Sequence, residues 1–384
     1  MLNVNLNFDD AYVKDEYLYF SASDFNGLFR LKKGESHAEW LGWFQKEPLW
    51  QKRIHYKIVE QDGRLFFSPF FGHGIHTYDL KKQDLKFYPL DDTKPVSFSN
   101  AIKSEGKIYL IPLNPQTPFT IYDMSKERVR IDEHFWEHVR GSFALDEGQF
   151  IGGFGAVLAH GAIYMTIVNT NVLLCYDVDS HKIRSKKLPY YPESIYHFNG
   201  CLYFTTLDSA RIMKYDIKKE QSEELVSASC LEEEGPIKSL FIYQGKLFLL
   251  PKGRCENVLE VSFDRDRTKM RKIPLTGSAG ISQEPDLYKN YLRQGARVLF
   301  LPKFGKEITA FNVREKNLET YEVKCDPAHA ELYSLLQKYN GMEQGNDDLE
   351  AYVKLILRDV HSADAIEKSG NENIGRKIWD IIRG

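Results

Sequence analysis

One alternation recurs seven times along the chain: a turn, an apolar strand rich in aromatics, a gap, and a strand closing on an aromatic–polar pair. The clearest copy reads Asn199-Gly200-Cys201-Leu202-Tyr203-Phe204-Thr205-Thr206, then Arg211-Ile212-Met213-Lys214-Tyr215-Asp216-Ile217. Six copies open on a glycine pair: Asp62-Gly63, Glu105-Gly106, His160-Gly161, Asn199-Gly200, Gln244-Gly245 and Gln294-Gly295. Glycine supplies the positive φ that tight hairpins require. The first copy has Asp15-Glu16 instead, so its turn should differ. Each turn leads into a short apolar run, such as Tyr17-Leu18-Tyr19-Phe20 or Val298-Leu299-Phe300-Leu301. Runs of this length bounded by turns read as strands covered on both faces.

The third strand of each copy ends at Phe29-Arg30, Tyr78-Asp79, Tyr122-Asp123, Tyr176-Asp177, Tyr215-Asp216, Ser262-Phe263 and Phe311-Asn312. From Phe29 to Phe311 is 282 residues over six intervals, about 47 per repeat. A shorter, more polar fourth strand follows, as in Leu85-Lys86-Phe87-Tyr88. Four strands per unit at this period resembles the β-propellers, whose repeats run to roughly 40–50 residues. The resemblance covers residues 8–325 and is to kelch-like and WD40-like architecture in general, since neither the WD dipeptide nor a regular double glycine is present. It implies an all-β fold: a seven-bladed β-propeller of four-stranded antiparallel blades, with no helix between them. Six or eight blades, an open solenoid or a pair of sandwiches are the alternatives.

The propeller unit is expected over residues 1–325, with an α-helical extension over 326–384. Ala328 to Tyr339, Asp347 to Val360 and Asn373 to Arg383 carry helical apolar stripes, the last with Trp379 beside it. That terminal helix either docks on the propeller rim or enters a partner's groove.

Aromatics make up 13% of the chain, with 24 Phe and 22 Tyr, which favours pleated surfaces over helices. The net charge of −3 and pI near 6.4 provide no basic field for nucleic acid. No apolar stretch approaches the length of a membrane span. The N-terminus lacks the pattern of a signal peptide, and the five cysteines are odd in number and lack CxxC spacing. The expectation is a cytoplasmic protein with reduced thiols, no metal and no cofactor.

In a propeller the connections between second and third strands share one face with the blade-to-blade connections. The longest irregular segments, Pro48 to Tyr56, Asp132 to Gly153 and Leu275 to Leu292, all fall there. Binding residues concentrate on irregular loops held by a rigid frame. Trp50 and Trp136, with Phe70, Phe71, His73 and His76, are candidates for an aromatic recognition pocket, or else plugs over the blade ends. Arg211, Lys252, Arg254, Lys303 and Lys306 on the same face could hold a carboxylate or phosphate, or be solvated loop tips.

His134-Phe135-Trp136-Glu137-His138 matches the H-x-x-E-H pattern of inverzincins, but in a loop context with no further acidic ligand in view. Gly152-Gly153-Phe154-Gly155 precedes a β-run and not a helix, so it is no dinucleotide fingerprint. The function expected is a non-enzymatic binding module for a peptide, protein or glycan, with a small anionic ligand as a further option. The alternative is a propeller lyase or hydrolase acting on a peptide or glycan at the channel mouth.

Overall fold

The turn pairs adopt the backbone their residues require. At Asp62-Gly63, Glu105-Gly106, His160-Gly161, Asn199-Gly200 and Gln244-Gly245 both residues take positive φ, between 47° and 79°. This is the arrangement whose twist matches right-handed strands. Two turns differ. In the first, Asp15 alone takes positive φ (53°), between Lys14 and its partner Tyr17. In the seventh, Gly295 (58°) occupies the same place between paired Gln294 and Arg297, one position from where the Gln294-Gly295 pair would put it.

The computed structural model describes residues 5–91, 93–141, 151–207, 211–231, 237–252, 257–264, 267–275, 288–302, 307–330 and 333–334. Seven antiparallel sheets follow one another along the chain, each running inner, second, third and fourth strand in order. They cover residues 11–42, 55–89, 98–132, 153–187, 192–226, 237–274 and 288–322, and are numbered blades 1 to 7. The inner strands are Ala11–Lys14, His55–Gln61, Phe98–Ser104, Gly153–Ala159, Pro192–Phe198, Ile237–Tyr243 and Tyr288–Gln294. The molecule is a seven-bladed β-propeller.

Second strands such as Arg64–Pro69, Lys107–Pro112 and Cys201–Thr206 are buried from their second residue onward, because a blade lies against each face. Fourth strands such as Asp84–Pro89 form the solvated rim. The core consists of layers between blades, not one centre. Tyr109, Ile111 and Phe119 of blade 3 pack on Ile163, Met165 and Leu174 of blade 4. Leu18, Phe20 and Phe29 of blade 1 pack on Leu299, Leu301 and Ile308 of blade 7, which closes the ring. Each such buried side chain contributes about 1.5–3 kcal/mol.

The two ends of the ring are clasped. Lys324–Cys325 adds a parallel fifth strand to the outer strand of blade 1, His37–Gly42. Leu6 N donates to Val323 O at 2.9 Å, and Lys324 N to Ser36 O at 2.8 Å. After the turn Pro327–His329, Tyr333 is fully buried, stacked on Phe25 (5.0 Å) and edge-on to Phe29 (5.4 Å). The rest of the expected helical extension, Trp379 included, lies outside the described residues.

Helices do occur between blades, contrary to the expectation. Phe135–Gly141 joins blades 3 and 4, and the short Ala228–Leu231 joins blades 5 and 6. The first buries Phe135, Trp136 and Val139 on one face and acts as a plug in the layer beneath it.

Candidate functional site

Pairing between inner and second strand slips at the same place in blades 2 to 7, at the start of the inner strand on the loop-rich face. The residues that bulge from the ladder are Tyr56, Ser99, Phe154 with Gly155, Glu193 with Ser194, Lys238 and Lys289. Bulges re-aim side chains and recur beside functional sites. In blades 4 and 5 a threonine of the second strand satisfies the displaced amide: Gly155 N donates to Thr166 Oγ1 at 2.9 Å, and Ser194 N to Thr205 Oγ1 at 3.1 Å. Thr166 Oγ1 also donates to Glu193 O at 2.9 Å, tying the two bulges together. The mouth of the ring is therefore a fixed frame.

One sector of that mouth is charged and internally paired. Buried Asp9 accepts from Arg53 Nε and Nη2 at 3.1 and 3.3 Å, with Lys289 Nζ 3.5 Å away. Lys289 donates to Ser23 Oγ at 3.1 Å, and Lys238 to the carbonyls of Tyr288 (2.9 Å) and Lys289 (2.6 Å). Lys252 pairs with Glu193. Asp10 accepts from Ile58 N at 2.9 Å with Lys57 at 3.9 Å, and its burial pushes the carboxyl above the ordinary range. These links span blades 5, 6, 7, 1 and 2.

The other sector is apolar and open. Of the six exposed large hydrophobics among the described residues, four stand on the loop-rich face: Phe71, Phe154, Tyr191 and Leu207. The last three belong to neighbouring blades 4 and 5, where Leu207 N donates to Tyr191 O at 3.0 Å. Glycines make this sector possible by close packing. A Cβ on Gly152 would fall 1.8 Å from Leu113 O, and one on Gly155 would fall 2.9 Å from Ile195 Cγ2. With the backbones this close, the Phe154 ring remains 42% exposed.

The aromatic candidates do not converge on one pocket. Phe70, Phe71, His73 and His76 belong to blade 2, Trp50 packs on the layer that joins blades 7 and 1, and Trp136 belongs to the layer between blades 3 and 4. Trp136 is buried and donates from Nε1 to Thr117 O at 2.9 Å, so it plugs and does not recognise. Trp50 is half-buried against the blade 1 core. Phe70 is covered by the Arg53 guanidinium at 4.4 Å and meets Phe71 edge-on at 4.6 Å, leaving Phe71 as the exposed ring. His73 Nδ1 donates to buried Glu47 at 3.0 Å. Among the cations, Arg211 faces Glu224 at 3.4 Å and Lys252 is taken by Glu193; Arg254, Lys303 and Lys306 lie outside the described residues.

His76 is fully buried in a hydrogen-bonded chain. Its Nε2 can only donate to Gln45 O (2.8 Å); with both rings neutral, its Nδ1 then accepts from His55 Nε2 (2.9 Å) and His55 Nδ1 accepts from Ser21 Oγ (3.0 Å). Burial holds His55 well below the ordinary histidine range and lowers His76 to about 4. Ser21 and both histidines are sealed between blades, which gives the chain a structural role. In the H-x-x-E-H segment, His134 Nδ1 meets Glu137 at 2.9 Å, both exposed, with His134 just ahead of the seven-residue helix that carries Glu137. Among the described residues no group of three His, Cys, Asp or Glu side chains could hold a metal ion.

Sequence reasoning missed Asp9, Asn26, Phe154, Tyr191, Leu207 and Lys289. Asn26 is wholly buried and braces the connection after blade 1, donating to Phe44 O (2.9 Å) and Glu47 O (3.0 Å) and accepting from Phe44 N (2.8 Å). A signal for the bulges was present: the hydroxyl residue after the large apolar residue late in the second strand, as in Met165-Thr166 and Phe204-Thr205.

No protein-family model matches the chain, and no curated protein matches it. It is similar to the extracellular domain of the hybrid two-component system BT4673 from B. thetaiotaomicron, with a TM-score of 0.56 at 14% identity, over 80% of this chain and 38% of that one. It also resembles PorZ, a surface component of the type-IX secretion system of Porphyromonas gingivalis, with a TM-score of 0.48 at 12% identity, over 84% of this chain and 39% of that one. The chain thus spans less than half the length of either structure. At such identities the first likeness speaks for the fold alone, and that fold is the β-propeller.

Proposed function

We propose that this protein is a non-enzymatic binding module that takes a peptide or a segment of another protein on the loop-rich face of the propeller. The observation that carries this reading is the open apolar sector of Phe154, Tyr191 and Leu207 beside a mouth whose charges are largely paired. Exposed rings at a rigid rim supply contact area at little entropic cost, the pattern of interface anchors. The paired charges set the border: the cations there are half-buried and the acids buried, so a ligand gains little by displacing them. A reducing compartment belongs to the same reading, since Cys175, Cys201, Cys230 and Cys325 are free thiols, the first and last buried in different blades.

Panning a displayed peptide library against the full chain tests the proposal. Peptides enriched on the wild type should bind the Phe154→Asp/Leu207→Asp variant at least tenfold more weakly, a loss of about 1.4 kcal/mol or more. They should bind Phe263→Asp normally, because Phe263 is exposed on the opposite face. Equal binding to all three proteins, or enrichment of no peptide at all, would overturn the reading.

A further inference from the structure

Away from the mouth, the rim between blades 3 and 4 carries two adjoining hollows of about 540 and 580 Å³. His181, in the turn before the last strand of blade 4, lines both. Cations reach them from separate segments: Lys107 opens the second strand of blade 3, Arg128 and Arg130 come from its fourth strand, and Lys182 and Arg184 from the edge of blade 4. With Lys126 that makes six cations against Asp123, Asp132 and Asp177, a local excess of three in a chain whose net charge is −3.

The acids are already engaged. Asp123 meets Lys126 at 3.6 Å and accepts from Ser125 N (3.1 Å) and Oγ (2.7 Å) in its own turn. Asp177 accepts from Ser180 N and Oγ, both at 2.8 Å. Among the described residues Lys107, Arg128, Arg130 and Lys182 have no ion-pair partner, and Arg184 rests its Nη2 3.6 Å from Cys175 Sγ.

His181 is oriented from beneath. Its Nδ1 lies 2.7 Å from the hydroxyl of Tyr176, whose ring is fully buried. Burial keeps that phenol protonated, so Tyr176 donates and the imidazole proton sits on Nε2, the nitrogen left for the hollow. Burial and the nearby Arg130 and Lys107 hold the imidazole below its ordinary range, which marks how closely the cations approach it.

Cations on an outermost strand also discourage edge-to-edge pairing. That role needs only charges that project outward, whereas here guanidinium groups from two blades line adjoining hollows that share one oriented imidazole. We propose that this rim groove binds an acidic peptide segment, whose carboxylate or phosphate side chains are taken by Arg128, Arg130 and Arg184 with the Nε2–H of His181. Arginine forks match both anions bidentately. The concavity favours a peptide over a membrane surface, and the cations do not extend into the long track that a nucleic acid backbone would need.

The test is fluorescence anisotropy on the full chain with three labelled probes of equal length: hexaglutamate, a phosphoserine peptide and a neutral Gly-Ser peptide. A single-stranded oligonucleotide and vesicles of anionic lipid serve as competitors. Hexaglutamate or the phosphopeptide should bind, and the neutral peptide should not. Binding should weaken at least tenfold in Arg130→Glu/Arg184→Glu while thermal melting stays within a few degrees of wild type. Lys219→Glu, in the corresponding turn of blade 5, should leave binding unchanged. Preference between the two acidic probes identifies the anion and supports the proposal either way. Absence of binding, equal loss in Lys219→Glu, or displacement by oligonucleotide or vesicles at concentrations below those at which the peptide binds would overturn it.

Discussion

The chain Ser21–His55–His76–Gln45 illustrates how one carbonyl propagates through a buried network. Because Gln45 O can only accept, the Nε2 proton of His76 is placed, and with both imidazoles kept neutral by burial the remaining protons follow along the chain. His76 has a folded-state value of about 4 against 6.5 when exposed. Above pH 6.5 both states are neutral and the fold keeps its full stability. As pH falls from 6.5 toward 4 the unfolded chain takes up a proton that the fold refuses, so stability declines, by about 3 kcal/mol for this group alone. His55 acts in the same direction. Urea midpoints at pH 7.5 and 4.5 should therefore separate more in wild type than in His76→Phe. That variant should also be less stable at neutral pH by about 1–3 kcal/mol, because Gln45 O and His55 Nε2–H lose their partner. An identical pH slope in the two proteins would contradict the neutral state assigned to buried His76. None of this was legible from His76 alone: a scattered histidine in a sequence does not reveal that another histidine and a carbonyl will meet it.

Among the elements, hairpin turns were the most legible feature and inner-strand bulges the least. Glycine at a fixed offset demands positive φ, and the structure shows it in five paired turns. Gly200 has only His160 Nε2 near its Cβ direction, at 3.6 Å, so Gly200→Ala should cost about 1–2 kcal/mol from backbone strain alone. Glu16→Gly should bring no gain, since Glu16 has no positive φ to relieve. Denaturant titration of both variants decides this, and equal effects would count against the two turn classes. The bulges depend on hydroxyls that look like ordinary strand residues. Thr166→Val leaves the Gly155 amide and the Glu193 carbonyl without their shared partner and should lower stability by about 1–3 kcal/mol. Because these bulges fix Phe154 and Glu193, the same variant should weaken binding on the loop-rich face beyond its effect on folding.

On the scale of the whole molecule, a ring of layered cores has one weak point, the seam where chain ends must meet. Here the seam has an apolar layer between blades 7 and 1, a parallel strand at Lys324–Cys325, and Tyr333 seated on Phe25 and Phe29. Tyr333→Ala should cost about 3–5 kcal/mol, as large a loss as Tyr203→Ala inside blade 5, since both rings are buried. Scanning calorimetry on both variants measures it. A loss under about 1 kcal/mol for Tyr333→Ala would mean that the segment after Cys325 is an appendage and not part of the closure.

Period, alternation and turn glycines were enough to specify seven four-stranded units and their order, because those properties are local and the chain repeats them seven times. The helix Phe135–Gly141 escaped because its buried face, Phe135, Trp136 and Val139, gains meaning only from the layer between blades 3 and 4. Exposure escaped for the same reason. Trp136 and Phe154 are both aromatics in irregular segments, yet one is buried at 6% and the other stands at 42%. Which ring faces solvent, which lysine meets a carboxylate and which histidine is sealed depend on neighbours brought together from distant blades. Those contacts exist only once the ring has closed.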